Sequence, residues 1–256
     1  METQRGREFE FELPIGYLDA DGRMHRTAVL RKMTGREEAL LADKRNRNSG
    51  ARMISELLGS CLVRLGGLDR PGLKVAQDLY SADRHYLLVK LREITFGPEL
   101  QGTYSCPTCR AANALTEDLS ALEVVKLKDS ELPEDTVVHL EDGYEDGDRV
   151  YDTLVFRAPN GVDEEKIAPI ARENPSHGKN ALLARCLKAV GDMPRPRLEA
   201  LGTAIFNDLT LKDRALVDKA MNNGGPGVQL RRDVVCDQCG RQFTATLDFS
   251  NFLSPS

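Results

Sequence analysis

Six cysteines carry the chemistry that this sequence offers. Four of them form two C-x-x-C pairs, Cys106-Pro107-Thr108-Cys109 and Cys236-Asp237-Gln238-Cys239. A C-x-x-C turn brings two sulfurs toward one point and aims backbone N–H groups at the thiolates. Each pair is flanked by β-rich sequence and supplies two ligands, whereas a structural zinc site closes with four. The simplest completion joins Cys106, Cys109, Cys236 and Cys239 around one structural Zn2+ per chain. A thioredoxin-like redox pair would open a helix after a strand, which neither context offers. Catalytic zinc needs an open coordination position that four thiolates close. Cys61 and Cys186 lie in apolar runs (LLGSCLVRL and LLARCLKAV) and read as small buried residues.

The remaining residues offer little catalysis. His25, His85, His139 and His177 share no motif and read as packing or surface residues. There is no G-x-S-x-G, no H-E-x-x-H and no Walker loop, and Gly224–Gly227 reads as a helix stop. We expect no enzyme activity, no cofactor other than zinc and no small-molecule substrate. Lys44-Arg45-Asn46-Arg47-Asn48 is a short basic run without interleaved aromatics and reads as a loop.

The elements that must position the cysteines are legible because the chain repeats itself. Residues 27–38 match 153–164 at an offset of 126, through Thr27/Thr153, Val29/Val155, Arg31/Arg157, Gly35/Gly161 and Glu38/Glu164. Residues 57–68 match 182–193 at 125, Cys61/Cys186 and Gly66/Gly191 included. Residues 79–119 match 209–249 at 130 without a gap, including Asp83-Arg84/Asp213-Arg214 and both cysteine pairs. Nine of those forty-one positions are identical, against roughly two or three for unrelated sequence of ordinary composition. Three blocks in one order at nearly one offset read as a tandem duplication. We expect an α+β fold of two repeats, 1–128 and 129–256. Each is a β-hairpin, then helices, then a CxxC zinc-knuckle hairpin, and the halves are joined by the shared zinc-ribbon-like site.

Within each half, FEFELP alternates with period 2 and HRTAVLRKM continues as a return strand, so 8–33 reads as a hairpin. The second hairpin comprises Thr136–Leu140, an acidic turn over Glu141–Asp148, and Val150–Arg157. Thr34-Gly35-Arg36-Glu37 has the T-x-x-E form of a capping box. A second helix is expected over 51–66, and a third over Ser81–Ile94 with Ser81 as N-cap. Asp83 and Asp213 would favour their helix dipoles, with Arg84 and Arg214 pairing locally. The knuckle hairpins run over Thr103–Leu119 and Asp233–Phe249.

Composition bounds the remaining possibilities. The chain has 256 residues and 28.4 kDa, long enough for a substantial core. It is 41% hydrophobic and 29% charged, with a net charge of −5 and a mean hydropathy of −0.40. That composition is globular. No apolar run is long enough for a membrane helix. The start METQRGREFEFELP carries no secretory h-region, which predicts the reducing cytoplasm. The acidic balance and the absence of Trp argue against general nucleic-acid binding. Segment 129–152 carries ten Asp/Glu against one Arg. It reads as a solvated linker and loop tip, or as a docking surface for a basic partner.

One family resemblance is carried by Leu30-Arg31-x-Met33-Thr34-Gly35-x-Glu37-Glu38, Asp83-Arg84-x-Tyr86-Leu87-Leu88 and Cys106-Pro107-x-Cys109. The chain resembles the baseplate hub assembly chaperones of T-even-type contractile phage tails and related extracellular contractile injection systems. The likeness covers about residues 12–120, and the second half follows more loosely. It implies a non-enzymatic role in building the baseplate or hub, with tail-tip, baseplate or spike-hub proteins as partners, and possible residence in the assembled particle. A zinc-ribbon nucleic-acid-binding or transcription-associated module is the alternative.

Overall fold

The hairpin that opens the chain is β1 (Glu8–Leu18) paired antiparallel with β2 (Met24–Arg31), from Glu8 opposite Arg31 to Leu18 opposite Met24. A computed structural model describes residues 7–43, 50–128, 131–222, 225–247 and 252–253. The basic run 44–48 lies outside them, as do Asp129, Gly224 and the 248–249 end of the last expected strand. After the hairpin come α1 (Gly35–Ala42), α2 (Gly50–Cys61), β3 (Leu62–Leu65), β4 (Leu68–Asp69), α3 (Gly72–Asp78) and α4 (Ser81–Phe96). Then β5 (Glu99–Ser105) and β6 (Ala112–Asp118) form the first knuckle hairpin, and β7 (Val124–Val125) leads out. The second half follows with β8 (Thr136–Asp146), β9 (Arg149–Phe156), α5 (Gly161–Glu173), α6 (Pro175–Cys186) and β10 (Leu187–Val190). It closes with α7 (Arg195–Leu201), α8 (Ala204–Asp208), α9 (Leu211–Asn222), β11 (Gly227–Val228), β12 (Arg231–Val235) and β13 (Gln242–Thr246).

Two apolar cores result. One gathers Leu13, Leu30, Leu57, Leu58, Leu87 and Leu91, and it takes in Leu247 and Phe252 from the far end of the chain. The other gathers Leu154, Phe156, Cys186, Val190, Ile205 and Phe206. The cores meet through shared elements. The β7–β11 ladder pairs Val125 with Gly227 across the halves. Ser81 N–H donates to the Pro159 carbonyl, and Gly161 N–H donates to the Leu79 carbonyl.

Several expectations need correction. The helix expected over 51–66 ends at Cys61, and Leu62–Leu65 leaves it as a strand beside β2, with Ala28 opposite Leu65. Spacing misleads there, because Leu62 and Leu65 are buried in either conformation and the unpaired edge of β2 decides. Glu141–Asp146 belongs to β8, so the second hairpin turns only at Gly147-Asp148. Tyr80, not Ser81, occupies the N-cap of α4, and Ser81 is its first helical residue. The short helices α3, α7 and α8, of 7, 7 and 5 residues, are too brief to carry a helical period in the sequence. The capping box at Thr34 is present as expected.

One arrangement recurs in each half and ties helix to hairpin. Asp83 is fully buried in the first turn of α4, where an acid suits the helix dipole, and it also reaches the hairpin. Its carboxylate accepts from Ile15 N–H (2.8 Å) and Gly16 N–H (2.9 Å) at a bulge in β1. In the second half Asp213 accepts from Glu141, Asp142 and Gly143 N–H at 2.7, 3.1 and 3.0 Å. The bulge glycines are required. Gly16 has φ +104°, and a Cβ there would lie 2.7 Å from Met24 Sδ. Gly143 has φ +84°, and its Cβ would lie 2.6 Å from Val150 Cγ1.

A second recurrence anchors the first helix. Arg31 holds buried Glu37 bidentately at 3.0 and 2.7 Å, and Arg157 holds buried Asp163 at 2.6 and 2.9 Å. Those carboxylates also close the capping boxes on Thr34 and Asn160. The Arg31 guanidinium, helped by Ser60 and Thr34, draws the Glu37 carboxyl far below its ordinary 4.5. Burial opposes ionisation of Asp163, yet Arg157 and Asn160 still bring it below 3.8. Burial instead pushes Asp83 up to about 7, against its backbone donors.

Two outcomes follow from these contacts. Asp83→Ala leaves two buried N–H groups without an acceptor and should cost about 3 kcal/mol in denaturant unfolding. Folded Glu37 and Asp163 hold protons less tightly than in the unfolded chain, so their contribution is present above about pH 4.5 and is lost as pH falls. Asp83 acts in the opposite sense, its ionisation costing stability between about 4 and 7. Melting temperature should fall from pH 5 to about pH 3. A Glu37→Gln/Asp163→Asn double variant should show a flatter acid limb, and an unchanged slope would contradict the assignment.

Candidate metal centre

The two knuckles are built alike. Cys106 N–H donates to the Ala111 carbonyl (2.9 Å), and Arg110 N–H donates back to the Cys106 carbonyl (2.9 Å). In the second half Cys236 N–H donates to the Arg241 carbonyl (2.9 Å), and Gly240 N–H donates to the Cys236 carbonyl (2.8 Å). Arg110 has φ +61° and Gly240 +71°, so the same left-handed residue ends each turn. Each turn is clamped by its own hairpin, with Ser105 opposite Ala112 and Val235 opposite Gln242.

The four sulfurs converge. Every Sγ of Cys106, Cys109, Cys236 and Cys239 lies within 4.8 Å of the others. Cys106 Sγ is 3.7 Å from Cys239 Sγ, and Cys109 Sγ is 3.6 Å from Cys236 Sγ, so both of these contacts join the two halves. A disulfide would need about 2.05 Å. Four thiolates at about 2.3 Å from a tetrahedral zinc stand about 3.8 Å apart along each edge, so the cluster has the dimensions of that coordination shell. Cys106 and Cys236 are buried, whereas Cys109 and Cys239 face outward. The donor set fits a closed structural site and leaves no vertex for substrate.

Electrostatics point the same way. The Cys109 N–H, then that of Thr108, draws the Cys106 thiol down to about 6, with Cys109 and Cys239 contributing. The Cys239 N–H does likewise for Cys236. At Cys109 the Ala111 N–H favours the thiolate, but desolvation and three neighbouring sulfurs outweigh it and push the thiol up to about 12. Four sulfurs this close cannot all ionise unless a cation compensates them.

A polar frame around the cluster joins the halves, and the sequence did not announce it. Buried Asn113 accepts from Asp237 N–H (2.9 Å) through Oδ1. Its Nδ2 donates to the Tyr104 carbonyl (3.1 Å) and the Ala111 carbonyl (3.0 Å). One side chain therefore spans both knuckles. Glu117 accepts from Tyr104 O–H (2.8 Å) and from Arg232 Nε (3.0 Å). Aligning the two halves at the offset of 130 does not point to either contact, because Phe243 falls opposite Asn113 and Leu247 opposite Glu117. Cys61 and Cys186 lie apart in the two cores, where burial pushes their thiols up to about 12 and about 11.

Comparison with known proteins adds one finding. The family model described as T4 bacteriophage base plate protein matches residues 7–254. No curated protein and no solved structure matches the chain significantly. Among the described residues, no helix is long and apolar enough to cross a membrane.

Cobalt(II) titration of the reduced, chelated chain should give a tetrahedral thiolate spectrum that saturates at one ion per chain, and zinc should bleach it. Cys239→Ser should weaken binding and lower the melting temperature. Saturation at two ions per chain would mean that each knuckle binds alone.

Proposed function

The chain belongs to the T4 bacteriophage base plate protein family, and from that premise we propose that it is a non-enzymatic, zinc-stapled scaffold of a contractile tail or injection system. It acts on the tail-tip, baseplate or spike-hub proteins, as an assembly chaperone of the baseplate hub or as a built-in component. The single observation that carries this reading is the joint one of family and site: a baseplate family match over nearly the whole chain, and a metal centre whose four thiolates leave no open vertex. Such a centre stiffens a binding surface and offers no place for a substrate.

Cys106, Cys109, Cys236 and Cys239 are the zinc ligands in this account, with one structural Zn2+ per chain. When bound, the ion neutralises the crowded thiolates and fixes the knuckles to each other. The chain's own residues do the rest: Asn113 and Glu117 set the register of the two hairpins, and the backbone N–H groups of both turns favour the thiolates.

The two repeats, 1–128 and 129–256, arose by tandem duplication in this reading. The recurring contacts support it. Asp83 and Asp213 each grip a hairpin bulge, Arg31 and Arg157 each grip the first helix of their half, and Arg84 and Arg214 each donate to a carbonyl eight residues back. The repeats are not independent folding units, because β11, Leu247 and Phe252 of the second complete the first.

The tagged full chain, captured from cells expressing its native gene cluster and read by mass spectrometry, tests the function. Baseplate, hub or tail-tube proteins should co-purify stoichiometrically, and less so with Cys106→Ser/Cys236→Ser. Recovery of polymerase subunits or nucleic acid in their place would overturn the reading.

A further inference from the structure

A cleft of about 1140 Å³ opens between the two halves, and neither cysteine pair lines it. Its floor is the first turn of α4 and the Ala158-Pro159 connection. Its walls are α6, the end of α9 and the 225–229 segment, and its rim is Leu127 with residues 131–136. The volume exceeds the roughly 300–1,000 Å³ of common small-molecule pockets, and the cleft is open along one side.

Its chemistry is one-sided. Glu131, Glu134, Asp135, Glu164 and Asp218 line it with one lysine, Lys179. Asp218 pairs with Lys179, Glu164 with Arg84, Asp135 with Lys188 and Glu131 with Lys128 at 3.8 Å, and Glu131 and Glu134 stay exposed at the rim. Between the charges lie Leu132, Leu182, Met221 and Val228, and Leu132 is 55% exposed.

Two orphaned polar atoms belong to lining side chains. Ser81 is 91% buried (9% exposed), and its Oγ has no hydrogen-bond partner. Tyr80 takes the cap of α4, so the hydroxyl has no helix-capping duty to perform. Glu164 gives Oε2 to the Arg84 guanidinium (3.0 Å), while its buried Oε1 has no partner; His85 Nε2 stays 3.9 Å away. A buried carboxylate oxygen and a buried hydroxyl without donors cost stability in the isolated chain. Both can accept, and one arriving cation with several N–H groups would satisfy both.

We propose that this cleft is a docking site for a partner-protein segment that carries an arginine or lysine between apolar residues. Its cation meets Glu164 and Ser81, and its apolar neighbours cover Leu132, Met221 and Val228. The acidic rim steers the segment in, so association weakens as salt rises. This inference rests on the protein-binding role proposed above and assigns the surface that performs it. The acidic turn of the β8–β9 hairpin is not part of it.

The test uses the full chain against purified tail and baseplate proteins of its gene cluster, and against synthetic peptides tiling those proteins. Wild type should hold peptides rich in Arg or Lys beside apolar residues. Glu131→Lys/Glu134→Lys, both exposed, should weaken binding by about tenfold or more at low salt. Glu164→Gln, which keeps an acceptor for Arg84, should weaken it too. Glu145→Lys/Asp148→Lys on the hairpin should bind as wild type does. If wild type and the cleft variants bind the same proteins equally, or if the bound peptides are acidic, the cleft assignment falls while the proposed function stands. If wild type binds none of the proteins, both fall.

Discussion

Four sulfur atoms, two from each half of the chain, lie closer together than four thiolates tolerate without a cation among them. Two of the contacts, at 3.6 and 3.7 Å, run between the halves. All four lie within 4.8 Å of one another, so an ion held there would be shared by both pairs. The backbone N–H groups favour charge at Cys106 and Cys236, while crowding opposes it at Cys109. A divalent cation among the sulfurs would resolve that conflict. Asn113 and Glu117 tie the two hairpins to each other beside the sulfurs.

The same interlocking continues away from the sulfurs. The end of the chain fills the first core with Leu247 and Phe252, and Gly227–Val228 adds a ladder to Val124–Val125. Arg84, wholly buried, donates to the Ala76 and Ala51 carbonyls of its own half and to Glu164 of the other. Gly161 has no Cβ because one would stand 2.5 Å from that guanidinium. These contacts fix the angle between the halves and so the shape of the cleft between them. The ladder and the buried arginine join the halves at points separate from the sulfur cluster.

How much of this is legible in the residues depends on whether the signal is local. The cysteine pairs, the hairpins and the capping box at Thr34 are local patterns, and the structure places them close to where the spacing does. Helix α2 is the instructive failure. Leu58, Cys61, Leu62 and Leu65 suit a helix face, yet the unpaired edge of β2 captures Leu62–Leu65 as a strand. Asp83 misleads for a related reason. An acid in a first turn suits a helix dipole, but the bulge at Gly16 offers two buried N–H groups that nothing else can satisfy. Arg84 pairs across eighty residues, and Asn113 bridges knuckles at a position where the repeat has Phe243. Such contacts exist only once the halves have met. The family match over residues 7–254 is consistent with the baseplate resemblance read from three short motifs.

Hydrogen exchange of the two knuckles tests the shared centre most directly. With Cys239→Ser, which alters only the second half, exchange should rise in both 231–246 and 99–118, while the buried strands β2 and β9 keep their protection. Equal protection of 99–118 in wild type and variant would mean that the knuckles do not share an ion, and would contradict the account.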